Sequence, residues 1–238
     1  MIMVFCSVVF SAKTVIFSIG EYPPYTSESD EKGKLTEKIV REAFALEDYN
    51  VQYEYYPWKR AFAMVKEGQA NGSFPWYKTE ERVKEFLFPE EPVVDVSSYF
   101  FHLKNVEFDW SNIEDLKQNK IGATIGYSHI ALFDKHGIQY DIASSDEVNL
   151  KKLLAGRIEA FPLDFYTGHY MIKELFAPEI AMLFTYDTTP LEEGGYYIMF
   201  SKQLESSEKL AKVFDSGIKK LKESGKYEEI TQKYLNLE

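Results

Sequence analysis

The sequence contains very little cysteine or histidine, the residues on which disulfides and many metal sites depend. Cys6 is the only cysteine among 238 residues, so the chain can form neither an intramolecular disulfide nor a cysteine-based zinc site. None of the four histidines shows metal-ligand spacing such as H-E-x-x-H. We therefore expect no bound metal and no cofactor.

Positive charge is also scarce. Lysine and arginine total 27 against 38 acidic residues, which gives a net charge of -11. A nucleic-acid-binding protein presents a basic face to the phosphates, so we expect no nucleic-acid partner.

Residues 1–12 are almost wholly apolar, M-I-M-V-F-C-S-V-V-F-S-A, but a membrane-spanning helix takes roughly 20 apolar residues. No other stretch is long and apolar enough for such a helix. The segment has the apolar core of a secretory signal and ends in small residues, although the basic residues expected before that core are missing. We interpret residues 1–12 as the remnant of a signal peptide, with an apolar first strand as the alternative. A signal peptide predicts a periplasmic or otherwise extracytoplasmic protein.

The rest of the sequence alternates short apolar strands with amphipathic helices. Residues 14–19 alternate β-branched side chains, and residues 35–46 repeat apolar side chains at helical spacing. Repeated alternation predicts an α/β protein whose parallel sheets carry helices on both faces. Longer extended runs at 93–103 and 196–201 favour two lobes joined by two crossings.

Two helix starts are predicted from capping boxes, at 111–114 and 144–147. A further strand is predicted at 180–184, directly after a proline that follows a helix. These local predictions concern the middle of the chain, between the two long extended runs.

The ends of the predicted strands are where a ligand site is expected, because open α/β sheets bind ligands beyond the carboxyl ends of their strands. Aromatic side chains, one arginine, one helix start and one aspartate collect there. The candidate site residues are Tyr22, Trp58, Pro75, Tyr77, Arg82, Tyr127, Ser128 and Asp164.

These side chains together suit a small zwitterion. Arginine grips a carboxylate with a bidentate fork, and the amides at a helix N-terminus assist the anion. An aspartate can take the ammonium while aromatic faces enclose the rest of the ligand. Each residue also has an ordinary structural alternative, since prolines and tyrosines are common in turns and a strand-end aspartate is often a helix cap.

Four motifs in order resemble the extracytoplasmic solute-binding proteins of polar amino acid ABC transporters. They are Y-P-P-Y at 22–25, T-E-E-R at 79–82, a G-x-x-x-A-x-x-x-D pattern at 156–164 and G-K-Y-E-E-I-T-Q-K-Y at 225–234. The resemblance extends from residue 14 to residue 237.

The resemblance implies a two-lobed, type II periplasmic binding protein-like fold with two hinge crossings. Lobe one would comprise 13–98 plus 196–238, and lobe two 99–195. A monomer would close around an amino acid or similar ligand and deliver it to an ABC permease.

The resemblance also implies a role for individual residues. Arg82 would bind the α-carboxylate of the ligand and Asp164 its α-amino group. Tyr22 and Trp58 would form the aromatic walls, and Ser128 would add contacts to the carboxylate.

The sequence departs from the family pattern at one strand. Pro75 and Tyr77 stand where the family often has a small Gly-x-Thr pair, and Pro75 has no N–H to donate. A smaller, flatter or cationic ligand would also fit such a tyrosine-rich pocket, because aromatic faces attract cations.

Two alternatives to transport remain open. One is an enzyme of the cyclohexadienyl dehydratase type on the same scaffold, with Asp164 as its acid. The other is a soluble sensing partner of a membrane receptor. Because no nucleophile–base pair, phosphate loop or metal cluster is visible in the sequence, we expect a binding protein and not an enzyme.

Overall fold

The computed structural model describes residues 13–235, so the predicted signal peptide at 1–12 lies outside the described residues. Ten strands and nine α-helices alternate through the described part of the chain. The strands are β1 Lys13–Ile19, β2 Tyr49–Tyr55, β3 Gly72–Tyr77, β4 Phe86–Leu87, β5 Val94–Leu103, β6 Ile121–Thr124, β7 Tyr140–Ala143, β8 Ala160–Asp164, β9 Phe184–Tyr186 and β10 Glu192–Ser201. The helices are α1 Leu35–Ala45, α2 Trp58–Lys66, α3 Glu80–Glu85, α4 His129–His136, α5 Asp146–Leu154, α6 Phe165–Leu175, α7 Pro178–Ala181, α8 Ser207–Glu223 and α9 Lys226–Leu235, with short 3-10 helices at Glu31–Gly33 and Ile113–Gln118.

Apolar periodicity produces these elements. In α1 the side chains of Leu35, Ile39 and Ala43 repeat every four residues, and all three are fully buried. In β1 the core face carries Val15 and Phe17, on either side of the less buried Ile16, and the strand is buried throughout from Phe17 to Ile19. Across residues 13–235, none of the helices combines the length and the apolar character that spanning a membrane would take.

The strands form one curled sheet with the order β2-β1-β3-β10-β5-β8-β6-β7. Pairing is parallel within β2-β1-β3 and within β8-β6-β7, whereas β10 and β5 run antiparallel to their neighbours. We call β2-β1-β3 the first strand group and β8-β6-β7 the second. This topology confirms the predicted mixed α/β class.

The two long strands β5 and β10 join the strand groups. The first part of β5 pairs with β10 and its later part pairs with β8. The start of β10 pairs with β5, and its end pairs with β3 and β4. The sequence predicted this return strand only from Tyr196, but it begins at Glu192. The four residues that were missed, 192–195, include two glycines, which weaken the strand pattern.

A separate hydrophobic core lies against each strand group. Phe17, Phe44 and Phe214 belong to the core beside the first group. Phe101 and Phe161 belong to a core beside the second. Each strand group is therefore packed as a unit of its own, and β5 and β10 connect them.

Three local predictions between residues 111 and 184 are wrong. The strand predicted at 180–184 is wrong in position, because residues 178–181 form α7, with Pro178 in the first helical turn, where proline is well tolerated. The strand follows later as β9. Both predicted capping boxes are displaced by one residue: Asn112 caps the 3-10 helix and Ser145 caps α5, since in each case two adjacent polar residues compete for the cap.

Candidate functional site

Asp164 is the last residue of β8 and lies in the interior, with 1% of its surface exposed. Its Oδ1 accepts hydrogen bonds from the backbone N–H of Thr167, 2.9 Å away, and from the hydroxyl of Tyr25, 2.8 Å away. The first bond caps α6, so the ordinary role of a strand-end aspartate is fulfilled. The second bond comes from the turn after β1, in the first strand group.

The other carboxylate oxygen of Asp164 has no such support. Oδ2 is buried and accepts no hydrogen bond from any residue between 13 and 235. Burial raises the pKa of Asp164 to about 6, although the hydrogen bonds from Thr167 and Tyr25 counteract that rise. A buried acceptor without a donor is costly, so this oxygen is the group in the site most in need of a partner.

Tyrosine rings from both strand groups pack beside Asp164. The hydroxyls of Tyr22 and Tyr196 lie 3.0 Å apart, and the ring centroids of Tyr77 and Tyr196 are 4.8 Å apart. Burial raises the pKa of Tyr22 well above its usual value, and the charge of Asp164 raises it further, so the hydroxyl stays protonated. We call the following residues the tyrosine cluster: Tyr22, Tyr25, Tyr77, Tyr127 and Tyr196.

Arg82 approaches the cluster from α3, whose first turn is capped by Thr79. The guanidinium donates to the carbonyl of Tyr77 at 2.9 Å and to the carbonyl of Gly126 at 3.3 Å, and it stacks on Trp76 at 4.8 Å. No carboxylate of residues 13–235 forms an ion pair with it within 4.0 Å. Burial lowers the pKa of Arg82 to about 10, so it remains charged at neutral pH.

The loop after β6 brings Tyr127 and Ser128 to the same place. Gly126 has φ of 89°, a left-handed conformation that favours glycine, and this turn presents its carbonyl to Arg82. Tyr127 donates to Asp146 at the start of α5. Ser128 precedes α4, but its hydroxyl donates to Glu192 at 3.0 Å and does not cap the helix.

Trp58 lies on the other side of Tyr22, with the two ring centroids 6.4 Å apart and nearly perpendicular. Its indole rests on Gly20, where an added Cβ would lie 2.7 Å from the ring, so only glycine allows this approach. The indole N–H donates to the carbonyl of Glu21. Pro75 is buried inside β3, so it does not follow the strand as the sequence predicted.

Of the eight predicted site residues, hydrogen bonds and ring contacts, in part through Tyr25 and Tyr196, link six: Tyr22, Trp58, Tyr77, Arg82, Tyr127 and Asp164. Ser128 joins them through its hydrogen bond to Glu192. The ring of Tyr22, for example, contacts both Trp58 and Tyr127. Pro75 takes part in none of these hydrogen bonds and ring contacts among residues 13–235 and supports the site only as part of β3.

Sequence reasoning missed several members of the site. Tyr25 was recognised only as part of a turn motif, although the second tyrosine of Y-P-P-Y is the residue that reaches Asp164. Tyr196 and Glu192 lie on β10, and their period of four residues on one extended strand could have placed both on one face. Asp146 and Trp76 were also missed, and each directly contacts a predicted residue.

The described residues contain no group of side chains suited to binding a metal ion. Between residues 13 and 235, no three or more histidine, cysteine, aspartate and glutamate side chains are grouped so as to hold a metal ion. The chemistry that this site offers is therefore that of a carboxylate, a guanidinium, hydroxyls and aromatic faces.

Solved structures of known proteins share this fold. A mutant of ArgBP from T. maritima superposes with a TM-score of 0.76 at 19% identity, over 93% of this chain and 94% of that one. The GluR0 ligand-binding core from Nostoc punctiforme, in complex with (L)-glutamate, gives 0.77 at 16% identity over 93% and 99%. A histidine kinase sensor domain with similarity to periplasmic binding proteins gives 0.78 at 20% identity over 94% and 96%. At such low identity these similarities establish the fold alone.

The family, in contrast, is established from the sequence. No curated protein matches the chain. A family model does, over residues 15–237, and it describes proteins that bind solutes outside the bacterial cytoplasm. The chain belongs to the bacterial extracellular solute-binding proteins, family 3.

Proposed function

We propose that this protein captures a small organic solute that carries an ammonium group, within the amino acid class and its relatives, by closing two lobes around it. The single observation that supports this proposal best is Asp164. Its Oδ2 is a buried acceptor without a donor, beside a cluster of neutral hydroxyls and aromatic faces. An ammonium would supply both the missing hydrogen bond and the missing positive charge.

The two lobes are part of the proposal, with 13–98 plus 196–238 as lobe one and 99–195 as lobe two. Contacts between these lobes support it: Tyr25 donates to Asp164, Arg82 to the carbonyl of Gly126, and Tyr170 to Asp30. Tyrosine rings now fill the space between the lobes, so a ligand has to enter while they are apart. A ligand that contacts both lobes stabilises closure by its differential affinity for the closed state.

The site residues divide between the lobes in the proposed mechanism. Tyr22, Trp58, Tyr77 and Arg82 on lobe one would meet the ligand first. Tyr127, Ser128 and Asp164 on lobe two would then cover it, while Pro75 shapes β3 beneath them.

Delivery to an ABC permease is the downstream step we propose. The family's extracytoplasmic location supports this step, and one solved structure of similar fold is that of a putative L-Cystine ABC transporter from Listeria monocytogenes. We propose no chemical reaction, because ligand binding and closure alone give a role to each of the charged, hydroxyl and aromatic groups in the site. A monomer suffices for such closure.

A thermal-shift screen of the purified protein against amino acids, small amines and organic acids tests the proposal. A ligand that binds only the folded state adds about 2.7 kcal/mol to its stability at a hundredfold excess over Kd. A shift with an ammonium-bearing compound, together with a smaller radius of gyration by X-ray scattering, is the expected result. Stabilisation by carboxylic acids that have no amine would contradict the proposal.

A further inference from the structure

Glu192 lies where the family resemblance expects the carboxylate of an amino acid. That carboxylate was expected between the hydroxyl of Ser128 and the guanidinium of Arg82. In the structure, Oε2 of Glu192 accepts a hydrogen bond from the Ser128 hydroxyl at 3.0 Å. Burial raises the pKa of the Glu192 carboxyl, and the hydrogen bond from Ser128 and the charge of Arg82 counteract that rise. The charge of Glu192 in turn favours the charged guanidinium of Arg82. The protein's own acid therefore already faces both expected anion-binding groups.

The strand register places Glu192 in the same row as Asp164. Glu192 on β10 is opposite Ser98 on β5, and Ser98 is opposite Asp164 on β8. Directly opposite residues of an antiparallel pair point to the same face of the sheet, and neighbouring strands lie about 5 Å apart. The two acids thus stand about 10 Å apart on the face of the site, with the Tyr77 hydroxyl bonded to Ser98 between them.

The two acids of this row differ in how well the protein itself supplies partners for their charge. The Glu192 carboxylate has a serine donor and a nearby guanidinium. Asp164 has neutral donors on Oδ1 and none among residues 13–235 on Oδ2. A ligand that brings a second carboxylate would set it against Glu192, and like charges in a half-buried site repel strongly. A ligand that brings only an ammonium satisfies Asp164 and leaves Glu192 in place.

We propose that Glu192 is a specificity-determining residue that substitutes for the ligand's carboxylate, so that the site prefers primary amines without a carboxylate over the corresponding α-amino acids. This inference rests on the proposed function and names the ligand class of the same site. A primary ammonium suits Oδ2 of Asp164 because it donates hydrogen bonds, which a quaternary ammonium cannot do. The rings of the tyrosine cluster attract either cation through their faces.

Matched ligand pairs test the proposal by calorimetry. Each pair consists of an α-amino acid and the amine that remains when its carboxylate is removed: lysine and cadaverine, ornithine and putrescine, arginine and agmatine, tyrosine and tyramine. For the wild-type protein we expect the amine of at least one pair to bind at least about tenfold more tightly than its amino acid, in line with the energy of one charged hydrogen bond.

The variant Glu192→Gln should narrow or reverse this preference. Glutamine keeps the shape and can still accept a hydrogen bond from Ser128, but it brings no negative charge. We expect the amino acid of the pair to gain about tenfold in affinity and the amine to change little. Glu193→Gln is the matched control, because Glu193 is the next residue of β10 and its side chain is exposed. Thermal denaturation of both variants establishes that they fold.

The outcomes separate this inference from the proposed function. If an amino acid binds the wild type more tightly than its amine, and Glu192→Gln leaves that ratio unchanged, Glu192 does not set specificity although the binding function stands. If neither member of any pair binds the wild type or the variant, the ammonium-binding function itself fails.

Discussion

Arg82 and Asp164 are the two charged residues that the family motifs place in the site, yet the fold surrounds them very differently. Arg82 is half-buried, donates to two carbonyls, stacks on Trp76 and has the charge of Glu192 nearby. Asp164 is fully buried, has only neutral donors and keeps one oxygen without a partner. A charged motif residue therefore contributes to ligand recognition only to the extent that no other group of the protein already pairs with its charge. By that measure Asp164 should contribute more to ligand binding than Arg82.

The largest effect is expected for Asp164→Asn. Asparagine is as good a helix cap as aspartate and nearly the same size, so α6 should keep its N-terminus. The variant loses the charge that would pair with the ammonium, and we expect affinity for the best ligand to fall at least about a hundredfold, as for a buried charge-assisted hydrogen bond. Calorimetry measures this loss.

The chain offers a closely matched control in Asp30. That residue also caps a helix, accepts from the backbone N–H of Lys32 and receives a tyrosine hydroxyl, that of Tyr170, from the other proposed lobe. Asp30→Asn should bind ligand nearly as the wild type does. Equal losses in the two variants would mean that capping and closure, not ammonium recognition, explain the effect of Asp164.

A smaller effect is expected for Arg82→Gln. The side chain would lose its hydrogen bond to the carbonyl of Gly126, which belongs to the other proposed lobe, so the closed state would be less stable relative to the open state. We expect about a tenfold loss of affinity for an amine, the equivalent of about 1.4 kcal/mol. Arg41→Gln is the control, because Arg41 also donates to a carbonyl and stacks on a tyrosine, but far from the cleft. A loss as large as that of Asp164→Asn would restore Arg82 as a direct ligand anchor and contradict the comparison.

The sequence predicted the fold class and most of the site because both depend on local patterns. Tyr22 and Arg82 follow strands of the first group and Asp164 ends a strand of the second, and open α/β sheets bind ligands beyond the carboxyl ends of their strands. Glu192 could not be found in this way. It comes before the apolar part of β10, and its importance arises from a register that aligns three strands of distant sequence. Tyr25 was hidden for a similar reason, since its partner Asp164 is 139 residues away.

Titration of Asp164 should change the stability of the protein and its affinity for the ligand in opposite directions. Burial raises the pKa of Asp164 to about 6, above its usual value of 3.8. The folded, ligand-free protein then holds a proton that the unfolded chain releases, so this residue makes the protein more stable as the pH falls from 6 to 4.

Ammonium binding needs the ionised carboxylate, so affinity should fall over the same range, about twofold at pH 6 and about tenfold at pH 5. Other acids, such as Glu42 and Glu47, have a lowered pKa and act on stability in the opposite direction, so the wild type must be compared with Asp164→Asn at each pH. In that difference the wild type should gain stability on acidification while losing affinity. If stability and affinity both rose, or both fell, on acidification, Asp164 would not be the titrating group. Protonation of its carboxylate stabilises the ligand-free fold but removes the charge that binds the ammonium.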